Sequence, residues 1–260
     1  MNKYALLIEY NGYNYCGWQR QLDQFTLQQE LEQALSKFAA EDITIITAGR
    51  TDSGVHALGQ VIHFETNVQR KLHGWVAGVN RYLSANIRVK QVCQVEATFD
   101  ARFSALSREY HYYLLVGSTP SAHLSNLVGY YSYPLNLSAM QQAAQYLLGE
   151  HDFSAFRASS CQANNPIRNL SIARIEQNGS IIKFIFKANA FLHHMVRNLV
   201  GALVYVGNGK LTPEQLALIL ANKQRSDAPP TFMPNGLYLA EVSYPQTLFN
   251  YQPAQWLYNL

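Results

Sequence analysis

Apolar periodicity and helix-start signals alternate along this chain in an order that few folds can satisfy. Thr26-Leu27-Gln28-Gln29 has the spacing of a capping box, and Leu27, Leu31, Leu35 and Phe38 then recur on one helical face. Ser138-Ala139-Met140-Gln141 repeats the signature, with Met140, Ala144, Leu147 and Leu148 behind it and Gly149 as the expected stop. Thr212-Pro213-Glu214-Gln215 is a third start, with proline at the first helical position. Two more helical patterns run over about 70–83 and 192–206, the second closed by Gly207 and Gly209. Strand-like runs fall between them at 4–10, 43–47, 61–66, 87–98, 105–116, 171–177, 181–187 and 237–242.

Read in order, residues 3–98 give strand, helix, strand, strand, helix, strand, and residues 105–242 repeat that series with one extra helix. This is the β-α-β-β-α-β ferredoxin-like unit, twice. The expected class is therefore α+β: two ferredoxin-like halves forming one broad mixed, mainly antiparallel sheet, helices on one face and a central cationic cleft. The expected division is 1–104, 105–245 and a tail at 246–260, which contains Trp256 and Tyr258 and reads as a packing strap or an interface.

Composition narrows the function classes. With 48% hydrophobic and 14% charged residues in 260, the chain is globular, and neither disorder nor low complexity is indicated. The net charge of +3 allows an anionic partner without demanding one. Cations are nevertheless dense after residue 49, from Arg50 through Arg108 and from Arg157 to Arg197, among 17 tyrosines and 12 phenylalanines. That mixture suits a surface meeting phosphates and bases, although many of the aromatics belong to the core. Cys16, Cys93 and Cys161 form no CxxC pair, so neither a disulfide framework nor a thiolate metal site is suggested. The first residues read as a strand rather than a leader, and the longest apolar run, near LVGALVYVG, is too short for a bilayer. The expected setting is the cytoplasm, without a membrane.

Four stretches carry potential chemistry. AGRTDSGVHA at 48–57 places an Arg-Thr-Asp triplet between two apolar strand-like runs. Asp-Ser-Gly is ordinary turn material, but Arg50 and His56 flank an isolated acid, and a carboxylate among cations stays ionised. It suits a nucleophile, an electrostatic stabiliser or a structural ion pair. SREYHYYL at 107–114 puts Tyr110 and Tyr112 on one strand face and Glu109, His111 and Tyr113 on the other. FLHHMVRNLVG at 191–201 begins an apolar helix with two histidines and Arg197, a cation that needs an anion from elsewhere, either Asp52 or a phosphate. A histidine metal site with His56 or His63 has no supporting spacing. The long stretch 151–170 holds Phe153, Phe156, Arg157 and Arg168, and 11–21 holds Trp18 and Arg20, which offer either an RNA-touching loop or a cover for the core.

GRTDSGVHA, SREYHYYL, FLHHMVRNLVG and the early GWQRQ together closely resemble the tRNA pseudouridine synthase A family, over essentially residues 3–243. The resemblance implies a cofactor-free, homodimeric isomerase acting on uridines 38, 39 and 40 of the tRNA anticodon stem-loop, with no metal and no small-molecule cofactor. It implies that Asp52 is the catalytic nucleophile and that Tyr110 lies against the target uridine. It also implies that Arg197 is the basic residue pairing with the aspartate, and that Arg50 lies close to the extruded nucleotide. Arg157 and Arg168 are further candidate phosphate contacts. Two other classes compete: a non-catalytic RNA-binding module, which gains nothing from a carboxylate in a cationic cleft, and a metal-dependent hydrolase using the histidines, which chelators would inhibit.

Overall fold

The computed structural model describes residues 1–161 and 163–251, so Trp256 and Tyr258 of the tail lie outside the described residues. The chain packs into two compact units, Met1–Leu106 together with the described residues from Tyr238 to Tyr251, and Ser107–Leu237.

The first unit contains β1 (Asn2–Tyr10), α1 (Leu27–Ala39), β2 (Ile46–Thr47), β3 (His56–Thr66), α2 (Leu72–Asn80) and β4 (Ile87–Val95). β1 lies between β4 and β3, antiparallel to both, with Leu6 opposite Ile62 and Val92. β2 pairs antiparallel with the far edge of β3 at Ile46↔His63 and Thr47↔Ile62, which gives the 4-1-3-2 order of the ferredoxin-like unit. Further along the same edge, the chain's final strand (Leu237–Ser243) runs parallel to β3 at Tyr238↔His56 and Leu239↔Ala57. β3 starts five residues earlier than its apolar run at 61–66 suggested, and buried residues extend from His56 to Phe64. β2, expected over 43–47, is only two residues long. Side chains of α1 take the preceding backbone donors: Ile43 N–H donates to Ser36 Oγ (2.8 Å) and Ile45 N–H to Glu32 Oε1 (3.1 Å).

α1 starts as its sequence indicates, with Thr26 Oγ1 accepting from Gln29 N–H. Its apolar face meets α2 and the sheet in an aromatic cluster. Trp75 lies 5.5 Å from Tyr4, 5.1 Å from Phe64 and 5.2 Å from Phe38, ring centre to ring centre. The described part of the tail crosses the same unit: Gln91 Nε2 donates to the Asn250 carbonyl (2.9 Å) and Tyr251 OH to Glu9 Oε2 (3.4 Å).

The second unit contains β5 (Ser107–Val116), β6 (Gly129–Tyr131), α3 (Leu137–Gln145), β7 (Gly149–Asp152), β8 (Ile167–Asn178), β9 (Ile181–Ala188), α4 (Met195–Gly207) and α5 (Pro213–Asn222); the final strand is β10. β5, β9, β8 and β7 pair antiparallel in that order, and β6 runs parallel to β5. β6 and β7 were not visible as strand patterns, and at three and four residues they are too short to show a period. α5 has the complete reciprocal box expected of it, Thr212 Oγ1 accepting from Gln215 N–H and Gln215 Oε1 from Thr212 N–H. α3 departs from expectation: Asn136, not Ser138, is the cap, and its Oδ1 accepts from Ala139 N–H at 3.0 Å. Gly149 does not end that helix, which closes at Gln145, but opens β7 with a φ of +93°. The architecture is α+β and mainly antiparallel. Among the described residues, no helix is long and apolar enough to cross a membrane.

Trp75 is fully buried, yet its indole N–H has no hydrogen-bond partner. Trp75→Ala is expected to cost about 3–5 kcal/mol in urea unfolding, whereas Trp75→Phe, which loses no hydrogen bond, should cost less than about 1.5 kcal/mol. A second prediction concerns His63, whose Nδ1 accepts from Ala101 N–H (3.0 Å) in the core. Burial chiefly, and Lys3 in addition, hold its pKa below the usual 6.5, against the opposing pull of Asp100 and Glu65. The unfolded chain therefore binds this proton more readily than the folded one. The stability it contributes is complete above about pH 6.5 and declines as the pH falls from there toward the lowered folded value. Unfolding measured between about pH 8 and pH 5.5 should show a shallower acid decline in His63→Gln than in the wild type.

Candidate active site

The loop joining β2 to β3, residues 48–55, is held by neighbours on every side. Ala48 N–H donates to the Val61 carbonyl (2.8 Å), and Gln60 Nε2 donates to the Gly49 carbonyl (2.6 Å). Thr51 is buried. Its hydroxyl bonds Tyr10 OH at 2.8 Å, and its carbonyl accepts from Trp18 N–H at 3.0 Å. Val55 N–H returns to the Asp52 carbonyl (3.2 Å), closing a turn whose third residue, Gly54, has φ +79°. Only glycine takes that conformation without strain, which explains the DSG sequence. Ser53 Oγ donates to the Tyr15 carbonyl (3.0 Å), and Gly12 N–H donates to His56 Nδ1 (3.1 Å).

The loop after β1 thus acts as a clamp. A Cβ on Gly12 would fall 1.9 Å from the Val55 carbonyl oxygen, so the two backbones meet with no space for a side chain. Gly17, at φ +82°, approaches the Thr51 carbonyl just as closely as a Cβ would tolerate, 3.0 Å. Trp18, 1% exposed, packs on Tyr10 with ring centres 5.8 Å apart, so of the two readings of this stretch the core-covering one holds for Trp18. Burial raises the Tyr10 pKa far above its ordinary value, which keeps the phenol a neutral partner for Thr51. Within this frame Asp52 is half-buried and Arg50 is exposed. The result is a carboxylate on a backbone that cannot drift, the arrangement that pre-positioned chemistry needs.

Tyr110 and Arg197 belong to the second unit. Tyr110 lies on β5 opposite Phe186, 8% exposed, with its ring edge-on to Phe191 at 5.0 Å. On the other face of β5, Glu109 Oε1 bonds His111 Nε2 (2.8 Å), and Tyr113 OH lies 3.5 Å from His111 Nδ1, as the strand alternation requires. His111 chiefly holds the Glu109 carboxyl below its usual range, with Lys187 and Lys183 adding to the effect.

Arg197 stands in the first turn of α4. Its Nε donates to the Phe232 carbonyl (2.9 Å), and Phe232 N–H donates back to the Arg197 carbonyl (3.3 Å). Next to it, the fully buried Asn198 donates to the Phe156 carbonyl (2.7 Å) and accepts from Thr231 Oγ1 (2.7 Å). Gly201 permits the close approach of the Pro230 carbonyl, 2.6 Å from where a Cβ would stand. His193 is tied to the 157–161 stretch, its carbonyl accepting from Ala158 N–H (2.9 Å) and its Nδ1 lying 3.3 Å from Ser160 Oγ. Arg168 donates from Nη1 to the carbonyls of Asn165 and Ile167, and burial lowers its pKa. His56 and His63 each spend Nδ1 on a backbone N–H, at Gly12 and Ala101.

Comparison with known proteins gives this geometry a family. The sequence profile of the tRNA pseudouridine synthase family matches residues 6–104 and 143–245, more than half of the chain. The chain belongs to the tRNA pseudouridine synthase family. It is accordingly an enzyme of the isomerase class. Proteins named tRNA pseudouridine synthase A are close relatives. That of Paraburkholderia phytofirmans is 49% identical over 95% of this chain and 91% of its own length. That of Nitrosomonas eutropha is 50% identical over 93% and 87%, and that of Methylobacillus flagellatus 48% identical over 92% of each. A chain from the crystal structure of a Cbf5-Nop10-Gar1 complex has a TM-score of 0.35 at 10% identity, over 77% of this chain and 53% of that one, a likeness too slight to bear on the fold.

Arg50 and Asp52 fall in the first stretch that matches the family profile, Arg197 in the second, and Tyr110 between them. The residues that fix the Asp52 loop were not recognised from sequence as its supports: Tyr10, Gly12, Tyr15, Thr51 and Gln60. Gly12 and Gly17, five apart in a stretch of large aromatics, were the available signal of a close backbone approach. Gly12→Ala is expected to cost about 1–3 kcal/mol in urea unfolding, because Val55 must move. Ser53→Ala, which removes one part-buried hydrogen bond, should cost less than about 1.5 kcal/mol in the same measurement.

Proposed function

We propose that this chain isomerises uridine to pseudouridine in tRNA at positions 38, 39 and 40 of the anticodon stem-loop, with Asp52 as the nucleophile. The observation that carries the reading is the clamped loop at residues 48–55. A half-buried carboxylate is borne on a turn whose neighbours are bonded to the loop after β1, within the GRTDSGVHA motif of a chain about half identical to proteins named for this reaction. Under this reading Tyr110, Arg50 and Arg197 bind the substrate, Tyr110 against the uracil ring and the two arginines against the anionic RNA. The enzyme works as a cytoplasmic homodimer without a metal or an organic cofactor.

The chemistry follows from what must break and form. The N1–C1′ bond is cleaved, the uracil turns within the site, and C5 joins C1′, while the proton lost from C5 is balanced by one taken up at N1. Reactant and product are isomers, so no electron acceptor or group donor is required. An ionised carboxylate assists by adding to C1′, by adding to C6, or by removing a sugar proton to give a glycal. Each route needs a charged Asp52 in a fixed position. A stacked uridine hides both C1′ and C5, so the base must leave the helix, at a cost of a few kcal/mol that phosphate contacts and an aromatic partner offset.

Tritium release from unmodified tRNA labelled with [5-³H]uridine tests the reading. Wild type is expected to release tritium without added metal or nucleotide, while Asp52→Asn and Asp52→Ala fall to background and retain tRNA affinity within about threefold. Residual turnover accompanied by a large loss of affinity would remove Asp52 from the nucleophile role. Tight binding without any release would leave an RNA-binding module.

A further inference from the structure

Phe25 presents a large flat surface that the core does not use. It is 52% exposed, with one face stacked on Tyr15 at 5.0 Å between ring centres and 20° between planes. Tyr15 is 2% exposed and firmly held: its hydroxyl donates to Glu30 Oε2 (2.6 Å) and lies 3.1 Å from Ser84 Oγ, and its carbonyl accepts from Ser53. The backbone of Phe25 is fixed as well, its carbonyl accepting from Cys16 N–H at 2.9 Å, with the buried cap Thr26 following directly.

An aromatic residue just before a helix cap ordinarily staples to the fourth helical residue. Here that residue is Glu30, whose carboxylate is taken by Tyr15 and by Ser84 N–H (2.7 Å). The ring is therefore neither core nor staple. Its surroundings in the first unit are those of the Asp52 loop, since Ser53 is both the residue after Asp52 and the donor to Tyr15. Exposed Leu22 (90%) and Tyr13 (49%) share its loop, Arg20 is held there against Glu32 with over half of its side chain exposed, and Arg50 is exposed on the facing loop. An exposed aromatic face backed by a buried ring, on a loop that also carries Arg20, is the chemistry that takes a nucleobase and its phosphate.

We propose that Phe25, backed by Tyr15, is a stacking platform for an unpaired nucleobase of the RNA substrate next to the target uridine. When the uridine leaves the stack, the adjacent base loses a neighbour, and the outer face of Phe25 replaces it. This inference rests on the function proposed above.

Steady-state kinetics on unmodified tRNA compare wild type with Phe25→Ala, Phe25→Leu and Phe25→Tyr. The alanine and leucine variants are expected to lose about tenfold or more in kcat/KM, chiefly through KM, while Phe25→Tyr stays within about twofold of wild type. Leucine retaining full efficiency would reduce the site to apolar packing. A folded alanine variant with unchanged kcat/KM, or one whose sedimentation shows a changed oligomeric state, would overturn the proposal, the latter marking a contact between copies of the chain. An independent readout uses Phe25→Trp in an Asp52→Asn background: the introduced indole should be quenched on titration with tRNA, and tight RNA binding without quenching would also overturn it. Wild type that binds tRNA but forms no pseudouridine would defeat the functional reading alone, and the quenching would still decide the platform.

Discussion

Two backbones in the first unit meet so closely that only glycine fits, where Gly12 passes the Val55 carbonyl. Most of the local order at this end of the sheet depends on that approach. It brings Gly12 N–H onto His56, the first residue of β3, and so fixes where the strand begins. It also seats Tyr15 and Trp18 against Ser53 and Thr51, leaving the turn at Asp52 little freedom to move. A loop between strands is ordinarily among the softer parts of a protein, yet this one has its neighbours bonded to side chains and backbone of other segments. Holding a reacting group in place ahead of time removes reorganisation from the barrier.

Much of this could be read from the amino acids, and the failures have particular causes. The two-fold β-α-β-β-α-β order was legible because α1 and α5 declare their starts with Thr26 and Thr212, and because β1, β4 and β5, nine or ten residues each, are long enough to stand out between the helices. β2 misled because ITIIT is good strand sequence, while Ser36 and Glu32 of α1 capture its backbone donors. α3 misled because Asn136, two residues before the apparent box, offers a better-placed oxygen. β3 was underestimated since His56, Gly59 and Gln60 break the apolar run, although all three are buried.

The candidate site shows the same division. The triplet at Arg50–Asp52 was conspicuous because charge interrupts an apolar setting. Its supports were not, because Tyr10 and Tyr15 are also what an ordinary core would contain, and their hydroxyl partners lie 41 and 15 residues away. Composition cannot separate a tyrosine that fills space from one that fixes a turn; only the pairing distance does. The stretch at 151–170 likewise looked like one long loop, but it contains the end of β7 and the start of β8, and its centre is fastened to Asn198 of α4 and to His193 just before that helix.

Glu30 and Glu32 of α1 give that helix a second employment. Both carboxylates are buried and both reach beyond the helix: one receives the Ser84 amide and the Tyr15 phenol, the other the Ile45 amide and Arg20, besides Gln28 one turn earlier. α1 is thus a splint to which three separate loops are lashed, and the sheet beneath supplies only its bedding. Substitutions on this helix, made far from any reacting atom and harmless to the aromatic core, would be felt first as a loosening of the loops at its N-terminal end.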